Sequence, residues 1–157
     1  MRIPHLDGFA KDEVIIPAHS RNVYDAAIRA VGVRIVEVAT RDELEAAFGP
    51  RTAMVYILAG PEADKPPLDT KTVAQLANER RVPVLVDAAA EVLTIPNVHL
   101  ENGATLVAYS GGKCIRGPQS AGLLLGRKDL VQAAWVHSAP HHGVQLAMTA
   151  GTSALRT

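Results

Sequence analysis

Cysteine is nearly absent: one residue in 157, which excludes an internal disulfide framework and fits a reducing compartment. Aromatic residues make up only 4% of the chain, so a core must be built from Val, Ile, Leu and Ala. Formal net charge is zero, and no basic field is present to draw in nucleic acid. No run is long and apolar enough to span a membrane, and Met1 to Asp7 lacks the apolar stretch of a signal peptide. There is no Walker loop, no dinucleotide Gly-x-Gly-x-x-Gly, no internal repeat and no low-complexity tract. These absences point to a cytoplasmic globular protein with no membrane partner and no electrostatic case for RNA.

Short apolar runs alternate with helix-like segments along the chain. Val14-Ile15-Ile16, Val33 to Val38, Met54 to Leu58, Pro83 to Asp87, Thr105 to Tyr109 and Ala121 to Leu125 read as strands. Helices are expected over Asn22 to Val31 (ended by Gly32), from a Thr40/Glu43 capping box to Gly49-Pro50, over Thr70 to Arg80 and over Lys128 to His137. A Pro-rich loop fills Gly60 to Asp69, and a short helix is possible before Thr105. Strands separated by helices predict an α/β fold with a mostly parallel sheet and flanking helices. The segment between the last two strands is too short for a helical crossover, so the final strand is expected to run antiparallel.

The chemistry concentrates in Tyr109-Ser110-Gly111-Gly112-Lys113-Cys114-Ile115-Arg116-Gly117-Pro118-Gln119. A lysine on a glycine-rich turn between two buried strands is expected to be poorly solvated, which favours its free amine as a nucleophile. Asp87 ends another strand, and in open parallel sheets ligands collect at the carboxyl ends of strands. Taken singly, Asp87 reads as a turn aspartate and Lys113 as a solvated loop lysine. Together they supply the Schiff-base amine and the pyridinium partner that pyridoxal phosphate (PLP) requires.

Ser-Gly-Gly-Lys-x-x-x-Gly-Pro-Gln, followed by an apolar strand, a glycine, a basic pair and an acidic helix start, resembles the selenocysteine synthase family. Val84-Leu85-Val86-Asp87 and Asn22-x-Tyr24-Asp25-x-Ala27-Ile28-Arg29 extend the resemblance from about Glu13 to His142. These are PLP-dependent enzymes of the aspartate-aminotransferase fold (fold type I), so the chain is similar to part of their large domain. The resemblance implies residues 1–12 as an N-terminal segment, 13–142 as the partial PLP-binding domain and 143–157 as a divergent, poorly ordered tail. The parts that normally hold the cofactor phosphate and form the small C-terminal domain have no counterpart here, as a truncated gene would leave it.

By position, Lys113 resembles the lysine that forms the internal aldimine and later moves the Cα proton. Asp87 resembles the partner of the pyridinium nitrogen. Ser110 is similar to a hydroxyl that contacts the cofactor phosphate, although a turn serine is equally expected from its type. His19, after the first strand, stands where many enzymes of this fold stack an aromatic ring on the cofactor, but a surface loop histidine is the ordinary alternative. Arg116 and Gln119 are candidate substrate-binding residues; Arg116 suits a carboxylate or phosphate gripped bidentately.

Gly112 and Arg116 stand where the selenium transferases proper carry Asp and Gly. The loop looks more like the branch that performs α,β-elimination on an amino sugar acid. The resemblance therefore implies a PLP-dependent lyase or transferase acting on an amino acid or amino sugar acid, and a homo-oligomer at full length. Alternatives are a seryl-tRNA(Sec) selenium transferase, to which the neutral charge is unsuited, and a noncatalytic fragment. His137, His141 and His142 have ligand-like spacing, but no second cluster completes a metal site, so none is expected. Cys114 is expected to be a small buried hydrophobe rather than a nucleophile.

Overall fold

The computed structural model describes residues 4–138. The expected 143–157 tail, His141 and His142 lie outside the described residues.

Six strands form one sheet in the order β2-β1-β3-β4-β5-β6. They are β1 (Glu13–Pro17), β2 (Arg34–Val38), β3 (Thr52–Leu58), β4 (Val84–Asp87), β5 (Leu106–Ser110) and β6 (Gly122–Gly126). All neighbours are parallel except β5 and β6, which pair antiparallel as the short connection between them requires. The helices are α1 (Ala26–Arg29), α2 (Arg41–Ala47), α3 (Thr70–Glu79), α4 (Val98–Glu101) and α5 (Lys128–Val136).

Side chains alternate across the sheet, and the two faces are treated differently. Ile15, Val55, Ile57, Val84, Val86 and Val107 lie in the main core with Leu44 of α2 and with Val73, Ala74, Leu76 and Ala77 of α3. Burying each such branched side chain contributes about 1.5–3 kcal/mol. The other face carries a smaller cluster of Val14, Ile16 and Tyr56, with Leu58 and Leu85 only partly covered beside it. Asp87 pairs with Leu58 on β3 and Ala108 on β5, so it continues this second face at the carboxyl edge of the sheet.

The α2 start follows the capping-box expectation. The Glu43 amide donates to Thr40 Oγ1 at 3.2 Å, while the Glu43 carboxylate accepts from the amides of Ala39 and Thr40. The expected helix over Asn22 to Val31 differs in detail: a 3-10 turn, Val23–Asp25, precedes the single-turn α1. Asn22 caps that turn by accepting from the Tyr24 amide at 2.7 Å. Asp25, 1% exposed, is clamped by Arg21 and Arg29, and Arg21 reaches on to Glu37 of β2. The Arg21 hydrogen bond holds the Asp25 carboxyl below the usual carboxylate range. The expected Pro-rich loop also contains a 3-10 turn, Pro61–Asp64.

Candidate active site

β4 and β5 lie side by side in register Asp87↔Ala108, and Ser110 ends β5 two residues further on. The adjacent carboxyl ends of these strands therefore carry Asp87 on one side and the Ser110–Lys113 turn on the other. Asp87 is half-buried and doubly anchored. Its Oδ2 accepts from the Tyr56 hydroxyl at 2.9 Å, and its Oδ1 accepts from the Ala89 amide at 3.0 Å. Each oxygen keeps a second lone pair, so the carboxylate is oriented without being saturated. Burial first, and then the Asp87 charge, push the Tyr56 phenol well above its ordinary range. Tyr56 therefore stays a donor.

The lysine loop closes on itself. The Gly111 amide donates to the Ala121 carbonyl at 2.8 Å, and the Gly117 amide to the Gly111 carbonyl at 2.7 Å. Arg116 adopts a left-handed backbone (φ 58°), a cost of order 1 kcal/mol, and its amide donates to the Lys113 carbonyl at 2.9 Å. A Cβ at Gly111 would lie 2.8 Å from two carbonyl oxygens, those of Ala121 and Pro118. One at Gly112 would lie 2.7 Å from the Gln119 Cα. Gly112 is thus where the returning side of this loop, at Gln119, packs against the backbone. Gly112→Ala is accordingly expected to lower the melting temperature by several degrees, in line with the roughly 1–3 kcal/mol of an overpacked site. Differential scanning fluorimetry checks this; an unchanged melt would contradict the packing.

Lys113 is exposed, which corrects the expectation of a poorly solvated amine. The loop projects past the sheet edge, and its apolar flanking strands end before they can cover it. The Tyr24 ring centroid lies 6.0 Å from Lys113 Nζ. Such a cation–π contact at an exposed site contributes about 0.5–1 kcal/mol. Ser110 is half-buried, and Arg116 and Gln119 are exposed. Among the described residues, none of these three side chains has a hydrogen-bond partner. Cys114 is also exposed rather than buried, with Sγ 3.0 Å from the Ala90 carbonyl.

His19 lies in the 3-10 turn Ala18–Ser20 that follows β1. Its Nε2 is 3.1 Å from the Leu68 carbonyl and its Nδ1 3.1 Å from Ser20 Oγ, which also accepts from the Leu58 amide. This chain of contacts fits one tautomer, with the proton on Nε2. The ring lines a cleft of about 290 Å³ with Val38, Glu62, Lys65, Pro67 and Leu68. Neither Asp87 nor Lys113 lines it. Sequence reasoning missed Tyr56 and Tyr24 as members of the site. Tyr56 is an aromatic residue in a strand, and only the strand order reveals that its hydroxyl meets Asp87. Among the described residues no cluster of His, Cys, Asp and Glu could hold a metal ion, and no helix is long and apolar enough to cross a membrane.

Residues 14–145 match the family model "Aminotransferase class-V". The chain is 34% identical over a 158-residue alignment to D-glucosaminate-6-phosphate ammonia lyase of Salmonella typhimurium, covering 95% of this chain and 41% of that protein. It is 34% identical over 123 residues to L-seryl-tRNA(Sec) selenium transferase of Rhizobium meliloti, covering 64% of this chain and 26% of that protein. The solved structure of D-glucosaminate-6-phosphate ammonia-lyase superposes with a TM-score of 0.71 at 33% identity, covering 82% of this chain and 37% of that one. The chain thus spans about two fifths of the length of the first of these relatives and less of the other. With its parallel sheet, antiparallel last strand and matching sequence, the chain belongs to the aminotransferase class-V family and carries the α/β fold of PLP-dependent fold type I enzymes.

Proposed function

We propose that this chain is the lysine-bearing part of a PLP-dependent lyase that performs α,β-elimination on an amino sugar acid or amino acid. The observation that carries this reading is the pairing of Asp87 and the Lys113 turn at the ends of adjacent strands. The donor set fits the group: an accessible amine for a carbonyl, and an oriented carboxylate with a free lone pair for a protonated ring nitrogen. Glycines at 111 and 112 let the backbone fold tightly beneath them. Lys113 would hold PLP covalently, Asp87 would face its ring nitrogen, and the unpartnered Ser110 hydroxyl is available to the phosphate. When bound, PLP supplies an electron sink for charge left on the substrate Cα.

The Lys113 amine would serve as the general base that takes the substrate Cα proton. Arg116 offers a guanidinium to a substrate carboxylate or phosphate, and Gln119 an amide beside it. Residues 13–142 are read as this PLP-binding unit, with 1–12 and 143–157 as flanking segments. A cytoplasmic location agrees with the single cysteine.

The substrate class rests on similarity to the ammonia lyase, on Gly112 and Arg116, and on a net charge of zero. The test is ammonia release from D-glucosaminate 6-phosphate by the chain supplied with PLP. PLP-dependent release is expected. Absence of release, together with salt-sensitive binding of seryl-tRNA, would replace this reading with selenium transfer.

A further inference from the structure

We propose that Tyr56 is a positioning residue for Asp87, holding its carboxylate in the orientation that meets the cofactor ring nitrogen. This rests on the reading of Asp87 as the PLP partner. Tyr56 lies in β3 opposite Leu85 of β4, so its ring shares a face with Asp87, two residues along the neighbouring strand. The ring is 5% exposed and packs with Val14 and Ile16, which leaves its position little freedom. From that fixed body the hydroxyl donates 2.9 Å to Asp87 Oδ2. The Ala89 amide holds the other oxygen at 3.0 Å. One donor on each oxygen fixes both the rotamer and the plane of the carboxylate.

A buried hydroxyl that merely needed a partner would make the same bond, so the function must be separable from the packing. Two features favour positioning. The phenol is bonded to a carboxylate at the carboxyl edge of the sheet, not to a backbone carbonyl within it. Finally, the raised phenol stays protonated, so the contact never becomes a repulsion between two anions.

The test is a double-mutant cycle on PLP affinity, read from the absorbance of the protein-bound cofactor with a thermal melt as folding control. Tyr56→Phe keeps the ring and is expected to weaken PLP binding roughly tenfold, as for loss of a hydrogen bond to a charged group. In an Asp87→Asn background the same change should cost less than about twofold, because the orientation it secures no longer matters. Equal losses in both backgrounds, or unchanged binding by Tyr56→Phe, would overturn the proposal. If Asp87→Asn alone binds PLP like the parent, the reading of Asp87 fails first, and the role of Tyr56 falls with it. A second measurement needs neither cofactor nor Tyr56→Phe. The 13Cζ chemical shift of Tyr56 at neutral pH should move in Asp87→Asn relative to the parent chain, and an unmoved resonance would likewise overturn the coupling.

Discussion

Lys113→Ala is expected to fold normally and to lose all PLP that survives borohydride reduction. The side chain is exposed and, among the described residues, its ammonium meets the Tyr24 ring, so its removal should change stability by no more than about 0.5–1 kcal/mol. Its chemistry has no substitute nearby. Among the described residues, the groups closest to it in sequence are Ser110, Cys114 and Arg116, and none is an amine. Elimination should fall by at least about 10²–10⁴-fold, the usual contribution of a positioned general base, with the covalent role lost as well. Mass spectrometry of the reduced protein checks the first part and ammonia release the second. A variant that retains reduced PLP at the parent level would exclude Lys113.

Asp87→Asn is expected to produce the second-largest loss. The substitution keeps the shape of the side chain but removes the negative charge; its one amide oxygen can accept from the Ala89 amide, and its amide nitrogen then donates to the Tyr56 hydroxyl. A ring nitrogen facing a neutral amide is no longer held protonated, and the cofactor loses its capacity to take up charge from the substrate. Removing one oriented electrostatic partner costs about 10²–10³-fold in turnover. The parallel measurement of PLP affinity separates this from a folding defect, since Asp87 sits at the rim rather than in the main core. Turnover within a few-fold of the parent would mean that Asp87 is an ordinary turn aspartate anchored to Ala89.

Much of this arrangement was legible in the chain itself. The six apolar runs became the six strands, because buried parallel strands read as continuous Val, Ile and Leu. The short β5–β6 connection dictated the antiparallel pair, and Thr40 with Glu43 marked the start of α2 through a local hydrogen-bond exchange. Local signals of this kind depend on a few neighbouring residues. What depends on strand order was not visible. Tyr56 and Asp87 meet only because β3 and β4 pair in one particular register. Lys113 was misjudged for a similar reason: apolar neighbours along the chain do not bury a residue whose loop extends beyond the sheet. His19 likewise depends on partners the local sequence does not announce: it lies in a 3-10 turn after β1, and its Nε2 meets the Leu68 carbonyl 49 residues away. The Gly112 departure, read first as a mark of substrate branch, also has a packing cause in Gln119.

The central claim is that Lys113 is the residue that captures the cofactor. Peptide mapping of the chain after incubation with PLP and reduction with borohydride tests it most directly. The account predicts a single labelled peptide, the one containing Ser110 to Gln119, with the mass added on Lys113. Label spread over Lys11, Lys65, Lys71 and Lys128, or no label at all, would contradict it.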